Sequence, residues 1–261
     1  MSLWEAVLIA VAGMAAGTIN TIVGSGTLVT FPTLLFFGYA PVSANVSNSL
    51  GLVAGGVSGA WGYRRELKGQ RPILMALVPA SLAGGVIGAL LLLVLPESAF
   101  ETIVPALIAL ALVLVVAGPR LNRWAAARRE RTGAVSARQG YGWPRWAALV
   151  VGVLLGGVYG GYFGAAQGVL LVGLMGVLLP LGLQQINGIK NVLAMVVNLV
   201  AAGVFLVVQP EQIDWLVVVL IAAGSTLGGV LGARVGRAMP PWLLRGVIIV
   251  IGVVAIGVLV T

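Results

Sequence analysis

The 261-residue chain has no cysteine and no histidine. That removes Ser-His-Asp and Cys-His triads, zinc sites built on those side chains, haem held by them, and iron–sulfur clusters. Acid is scarce as well: only Glu5, Glu66, Glu97, Glu101, Glu130, Glu211 and Asp214 are present. None of them lies deep in an apolar run, so neither an intramembrane aspartyl dyad nor an acidic proton relay is expected. No GxxxxGK[ST] phosphate loop occurs, and an ATP-driven pump would need a separate subunit. The chain therefore reads as a non-enzyme, with no catalytic group, no metal-ligand set and no cofactor expected.

Charge of either sign is rare. Only 8% of residues are charged and 60% are hydrophobic, against about 25% charged in a soluble domain. Apolar runs repeatedly approach or exceed the roughly 18 residues of a transmembrane helix. The ten-residue alternation of a membrane β-barrel is missing. The expected fold class is an all-α polytopic membrane protein, with the lipid bilayer as its first partner. The net charge of +8 does not point to nucleic acid. Seven arginines fall between Arg120 and Arg145, and Arg64, Arg65, Lys68 and Arg71 form a second cluster. Both clusters sit between apolar runs, where basic residues orient a membrane protein.

The apolar runs cover 3–37, 44–62, 72–95, 100–118, 146–180, 187–208, 215–233 and 243–260. Trp4, Trp61, Trp143, Trp146, Trp215 and Trp242 mark their ends, as in an interfacial aromatic belt. The first run has no basic leader and continues too far for a cleavable signal peptide. Runs 3–37 and 146–180 are too long for one span and barely long enough for two. The first is interrupted at Gly17-Thr18-Ile19-Asn20 and Gly24-Ser25-Gly26-Thr27, the second at Gly156–Gly161 and Gly164-Ala165-Ala166-Gln167-Gly168. Each is expected to form a helical hairpin with an irregular tip inside the membrane, which is tolerated only where protein buries it or it lines a cavity. The alternative is one long tilted helix with a glycine-rich packing face.

The chain divides into two similar halves. Gly84-Gly85-Val86-Ile87-Gly88-Ala89 matches Gly228-Gly229-Val230-Leu231-Gly232-Ala233, and Pro96 matches Pro240. Gly17 and Gly24 match Gly157 and Gly164, and Asn45 matches Asn187. Loop 63–71 is basic where its counterpart 209–214 is acidic. The expected organisation is two inverted repeats, 1–118 and 146–261, each a broken helical hairpin plus three transmembrane helices. A cytoplasmic Arg-rich linker, 119–145, joins them. On this count both termini, Ser98 and loop 209–214 face outside, and loop 63–71 faces the cytoplasm. Eight conventional spans in two parallel groups of four would leave the charge swap unexplained.

Val23-Gly24-Ser25-Gly26-Thr27-Leu28-Val29-Thr30-Phe31-Pro32, followed by Ala44-Asn45-Val46-Ser47-Asn48, resembles the first signature of the TauE/SafE sulfite-exporter family. Tyr159–Gly164, Asn187-Gly188-Ile189-Lys190-Asn191 and Gly228–Arg234 resemble the second. The likeness covers nearly the whole chain. Ser25 stands where the family often has glycine, and Ala165-Ala166-Gln167 makes the second tip less glycine-rich. The resemblance implies a multi-pass protein of a bacterial or archaeal cell membrane. It also implies transport of small sulfur-containing anions such as sulfite, thiosulfate, sulfoacetate or other organosulfonates.

The residues themselves fit an anion. Glycine tips uncover backbone N–H groups, and half-helix N-termini add positive dipole ends. The candidate substrate-binding residues are Asn20, Gly24, Ser25, Gly26 and Thr27 at the first tip, and Gly164 and Gln167 at the second. Asn45 and Asn48 on one following helix, and Asn187, Lys190 and Asn191 on the other, complete the set, because i, i+3, i+4 spacing puts each group on one helix face. Two alternatives stand beside this: polar groups bonding across packed helices, and Asn45 or Asn187 acting as helix caps. Lys190 either meets the anion or snorkels to the interface. The leading expectation is a secondary transporter working by alternating access. An anion channel and a non-transporting scaffold or assembly factor are the competing classes, and a second copy of the chain is a candidate partner.

Overall fold

The computed structural model describes residues 1–136 and 142–235, with Gly246 and Val250 as isolated helical positions. The expected last helix, 243–260, otherwise lies outside the described residues. Nine α-helices and one 3₁₀ turn, Pro210–Gln212, make up the secondary structure of the described residues. In order they are α1 Leu3–Ile22, α2 Thr27–Phe36, α3 Pro41–Gly62, α4 Arg71–Val94, α5 Glu97–Ser136, α6 Trp143–Tyr162, α7 Gln167–Leu178, α8 Leu183–Val208 and α9 Trp215–Val235. Among the described residues, six segments are long and apolar enough to cross a membrane: α1, α4, residues Ser98–Gly118 of α5, α6, α8 and α9. The protein is an all-α, multi-pass membrane protein.

Local chemistry sets several boundaries. Ser2 and Glu5 form a reciprocal capping box at the start of α1, satisfying two amide donors that a helix N-terminus leaves free. Proline in the first turn opens α3, α4 and α6, where its missing N–H costs nothing. α5 runs on to Ser136, past the point at which a linker from 119 was expected.

The long apolar runs are each interrupted once, at 23–26 and at 163–166. The segments Gly17–Asn20 and Gly156–Gly161, expected as breaks, remain helical. Their glycines serve close approach instead. A Cβ on Gly17 would lie 2.3 Å from Ser225 O of α9, and one on Gly161 would lie 2.3 Å from Gly85 O of α4. The matched glycine motifs answer in kind. A Cβ on Gly228 would lie 2.0 Å from Met14 O, and one on Gly88 would lie 2.1 Å from Val158 O. Helices in lipid gain little from burying apolar surface, so small residues that let backbones touch carry the association.

The pairing exchanges helices between the halves. α9 lies against α1 and α3, while α4 lies against α6 and α8. Along α1 and α9 the residue numbers advance together, Gly13 beside Ile221 and Gly17 beside Ser225, so these helices run parallel. α3 and α8 pack on each other at the centre. Residues 44–52 of α3 and 186–191 of α8 are buried on every side. α3 matches the spanning helices in length but is not among the six. Asn45, Ser47, Asn48 and Ser49 replace apolar residues there, and protein rather than lipid surrounds them.

Charge separates to the two ends of the bundle. The amide of Asp214 donates to Ser47 Oγ at 2.9 Å, and Ser43 Oγ donates to Gln212 Oε1. The acidic loop 209–214 therefore sits at the end where α3 begins. Burial, then Asp214 and Glu5, push the Tyr39 phenol above its ordinary pKa, so the start of α1 lies at this end too. Arg64, Arg65 and Arg234 gather at the opposite end.

Candidate functional site at the two hairpin tips

α1 and α6 end in the same way. The amides of Val23 and Gly24 both donate to Ile19 O, at 2.7 and 3.0 Å, and those of Phe163 and Gly164 both donate to Tyr159 O at 3.0 Å. Gly24 and Gly164 then adopt φ of +88° and +77°, the left-handed conformation that closes a helix and favours glycine. After each turn a short helix begins, at Thr27 and at Gln167.

The two tips meet. The Gly168 amide donates to Gly24 O at 3.0 Å. A Cβ on Gly24 would lie 2.3 Å from Gly168 Cα, and one on Gly168 only 2.4 Å from Gly24 Cα. The contact is backbone on backbone and excludes any side chain at either position. Thr27 Oγ1 lies 3.9 Å from where a Cβ on Gly164 would stand.

Side chains from α3 and α8 hold both tips. A helix C-terminus leaves carbonyls without intrahelical partners. At α1 these are met by Lys190, whose Nζ donates to Asn20 O at 2.8 Å and to Thr21 O at 3.0 Å, and by Asn191, whose Nδ2 donates to Thr21 O at 3.2 Å. At α6 Asn45 Nδ2 donates to Tyr162 O at 3.0 Å. Asn48 Nδ2 donates to Thr27 Oγ1 at 3.4 Å, and its Oδ1 accepts from Thr30 Oγ1. The N-caps of α3 and α8 are Ala40 and Gly182, so neither Asn45 nor Asn187 caps its own helix.

Lys190 has no exposed surface. It does not snorkel; it turns inward to the negative dipole end of α1, the favoured place for a cation on a helix. Among the described residues its partners are the two carbonyls alone, with no carboxylate to neutralise it.

Among the described residues, Ser25 Oγ, Asn45 Oδ1, Tyr162 OH and Gln167 Nε2 are buried without a hydrogen-bond partner. Ser25 is wholly buried, and the Gln167 amide lies where a Cβ on Gly160 would stand. An unmade hydrogen bond of this kind costs about 1–3 kcal/mol. Three of the four, Ser25, Tyr162 and Gln167, can donate.

Of the expected residues, Gly24, Ser25, Gly26, Thr27, Gly164 and Gln167 form the two tips. Asn45, Asn48, Lys190 and Asn191 brace them, and Asn20 contributes its carbonyl. Asn187 is 8% exposed, and its side chain holds neither tip among the hydrogen bonds of the described residues. Gly168 and the Thr21 carbonyl were not foreseen. Gly168 looks like any other glycine in this chain, and a carbonyl acceptor leaves no mark on a sequence.

An apolar helical bundle with short broken helices meeting at a polar centre is the architecture of a polytopic membrane transporter. The family model for Sulfite exporter TauE/SafE matches residues 9–259, and the chain belongs to that family. A Probable membrane transporter protein of Haemophilus influenzae is 28% identical over 242 residues, covering 91% of this chain and 88% of the relative. Probable membrane transporter protein ORF9 of Sinorhizobium sp is 29% identical over 248 residues, covering 93% and 87%. Probable membrane transporter protein YfcA of Escherichia coli K12 is 26% identical over 241 residues, covering 92% and 84%. No solved structure matches the chain. The protein is thus a multi-pass membrane transporter.

Proposed function

We propose that the protein is a secondary transporter of a small sulfur-containing anion, such as sulfite, thiosulfate or an organosulfonate, bound where the two tips meet. The carrying observation is the set of hydrogen-bond donors brought to one buried junction. Lys190 Nζ, which has no carboxylate partner among the described residues, the donors of Ser25 and Gln167, and the N-termini of α2 and α7 lie at the two tips. Helix N-termini and exposed amides bind oxyanions. Hydroxyl and amide donors hold a sulfonate without the permanence of an ion pair. The family's name supplies the sulfur chemistry.

The mechanism follows from two repeats of inverted topology, with loop 63–71 cytoplasmic and loop 209–214 outside. Support comes from the matched pairings, since α1 with α9 answers to α6 with α4, and α3 with α9 answers to α8 with α4. Further support is the charge separation, since basic ends stay cytoplasmic. Rocking of one half against the other would expose the junction alternately to each side.

A thermal-shift panel of the purified protein with sulfite, sulfate, thiosulfate, sulfoacetate and taurine tests the substrate class. A ligand that binds the folded state raises the melting temperature by mass action. We expect at least one sulfur oxyanion to stabilise the protein and taurine, a zwitterion, to do so less. A flat response across the panel would reject the sulfur-anion reading.

A further inference from the structure

The basic end of the bundle carries a cavity that the transport site does not use. It has a volume of about 430 Å³ and opens between the last turns of α3 and α9, with Trp61, Arg64, Arg65, Val230 and Arg234 in its wall. Gly62 and Ala233 also line it. A Cβ on Gly62 would lie 2.1 Å from Ala233 Cβ, so the Ala233 methyl packs directly on the Gly62 backbone. Among the described residues, no acidic residue lines it. Arg64 is held in place, its guanidinium carbon 4.9 Å from the Trp61 ring centre and its Nη1 donating to Trp61 O at 3.1 Å.

The approach to this cavity is apolar. Trp61 is 69% exposed, and Val57 on α3 and Leu227 and Val230 on α9 are exposed apolar residues of the two helices that form the cavity. The counterpart of loop 63–71, loop 209–214, carries Glu211 and Asp214 and no basic residue, so the basic cluster belongs to one end of the molecule only.

We propose that this cavity binds the phosphate of an anionic phospholipid from the leaflet at the basic end, with the acyl chains along Val57, Leu227 and Val230. Guanidinium groups match phosphate oxygens in paired hydrogen bonds, and basic pockets between membrane helices suit such headgroups. A soluble oxyanion would satisfy the arginines but not the exposed apolar flank. The exposed indole and the lipid-facing valines select the tethered phosphate. This assignment is independent of the transported substrate.

The test is native mass spectrometry on the purified full-length protein, with phosphatidylglycerol and phosphatidylcholine of matched chains, with and without inorganic phosphate. We expect about fivefold preferential retention of phosphatidylglycerol, roughly 1 kcal/mol, unaffected by inorganic phosphate. The combined Arg64→Gln, Arg65→Gln, Arg234→Gln variant should lose the preference, and the combined lysine variant should keep part of it. Should the combined variants not assemble, Arg65→Gln alone, at an exposed position, should lower the preference. Equal retention of the two lipids by the wild type, an unchanged preference in the glutamine variants, or displacement by inorganic phosphate would overturn the proposal.

Discussion

Lys190 concentrates the energetics of the junction in one side chain. A lysine on a membrane helix costs about 2.5–3.5 kcal/mol near the bilayer centre on insertion scales. The cost is offset here by two carbonyls at the negative end of α1, at 2.8 and 3.0 Å. Two roles follow, and they separate experimentally. As a brace, Lys190 satisfies carbonyls that would otherwise cost about 1–3 kcal/mol each, so Lys190→Met should lower the melting temperature. Where protonated, it would draw the anion, so Lys190→Gln should weaken anion binding at least tenfold, about 1.4 kcal/mol. Titration of Lys190→Gln by calorimetry checks the second role. Unchanged affinity would leave Lys190 with the structural role alone. Lys190→Arg should retain part of the binding. None of this arrangement was readable beforehand beyond the oddity of a lysine in an apolar run. The sequence marks the donor, whereas the acceptors are backbone atoms of Asn20 and Thr21, which any residue would supply.

The elements that matter most are the two hairpins, and their glycines divide into two physical kinds. Gly24 has a left-handed conformation and no room for a side chain, since a Cβ there would lie 2.3 Å from Gly168 Cα, whereas Gly164 has the conformation but a Cβ there would lie 3.0 Å from Gly160 O. Gly24→Ala should therefore abolish transport, and Gly164→Ala should reduce it less, with both proteins inserted and monodisperse. Gly203 faces open space on α8, so Gly203→Ala should leave transport intact and stabilise the helix by about 0.5–1 kcal/mol. Uptake assays on the three variants rank them. Equal activity in Gly24→Ala and Gly203→Ala would show that the tip contact is dispensable. The hairpins were legible as apolar runs too long for one span. Their break points were half legible, because glycine signals a turn at Gly24 and a close helix contact at Gly17 with the same letter. Only the partner, Ser225 O for Gly17, distinguishes them. The polar faces of α3 and α8 were legible from spacing. Their target was not, since Asn45 reaches Tyr162 O and Asn191 reaches Thr21 O across the bundle.

At the scale of the whole molecule, the chain's charge asymmetry and its packing agree on which loops share an end. The 209–214 loop lies with the start of α3, and Arg64, Arg65 and Arg234 lie at the other end. With no native thiol to interfere, single cysteines report topology directly. Ser98→Cys and Glu211→Cys should label from outside, and Lys68→Cys only from the cytoplasm. Labelling of Glu211→Cys from the cytoplasm would contradict the proposed inverted repeats. The match of Gly84-Gly85 with Gly228-Gly229 was legible in residue order, but not that Gly84 and Gly85 pack on α6 and α8 and Gly228 and Gly229 on α1 and α3. Helix exchange is set by which backbones fit together, and that requires the three-dimensional partners. The proposed function requires a sulfur oxyanion to be carried through the tip junction. Counterflow of labelled sulfite or thiosulfate into proteoliposomes of the purified protein is the deciding measurement. Carriage gives saturable, transient accumulation driven by unlabelled internal substrate, present in the wild type and absent in Gly24→Ala. Flux without counterflow, carrying large single-channel currents, or equal counterflow in Gly24→Ala, would contradict it.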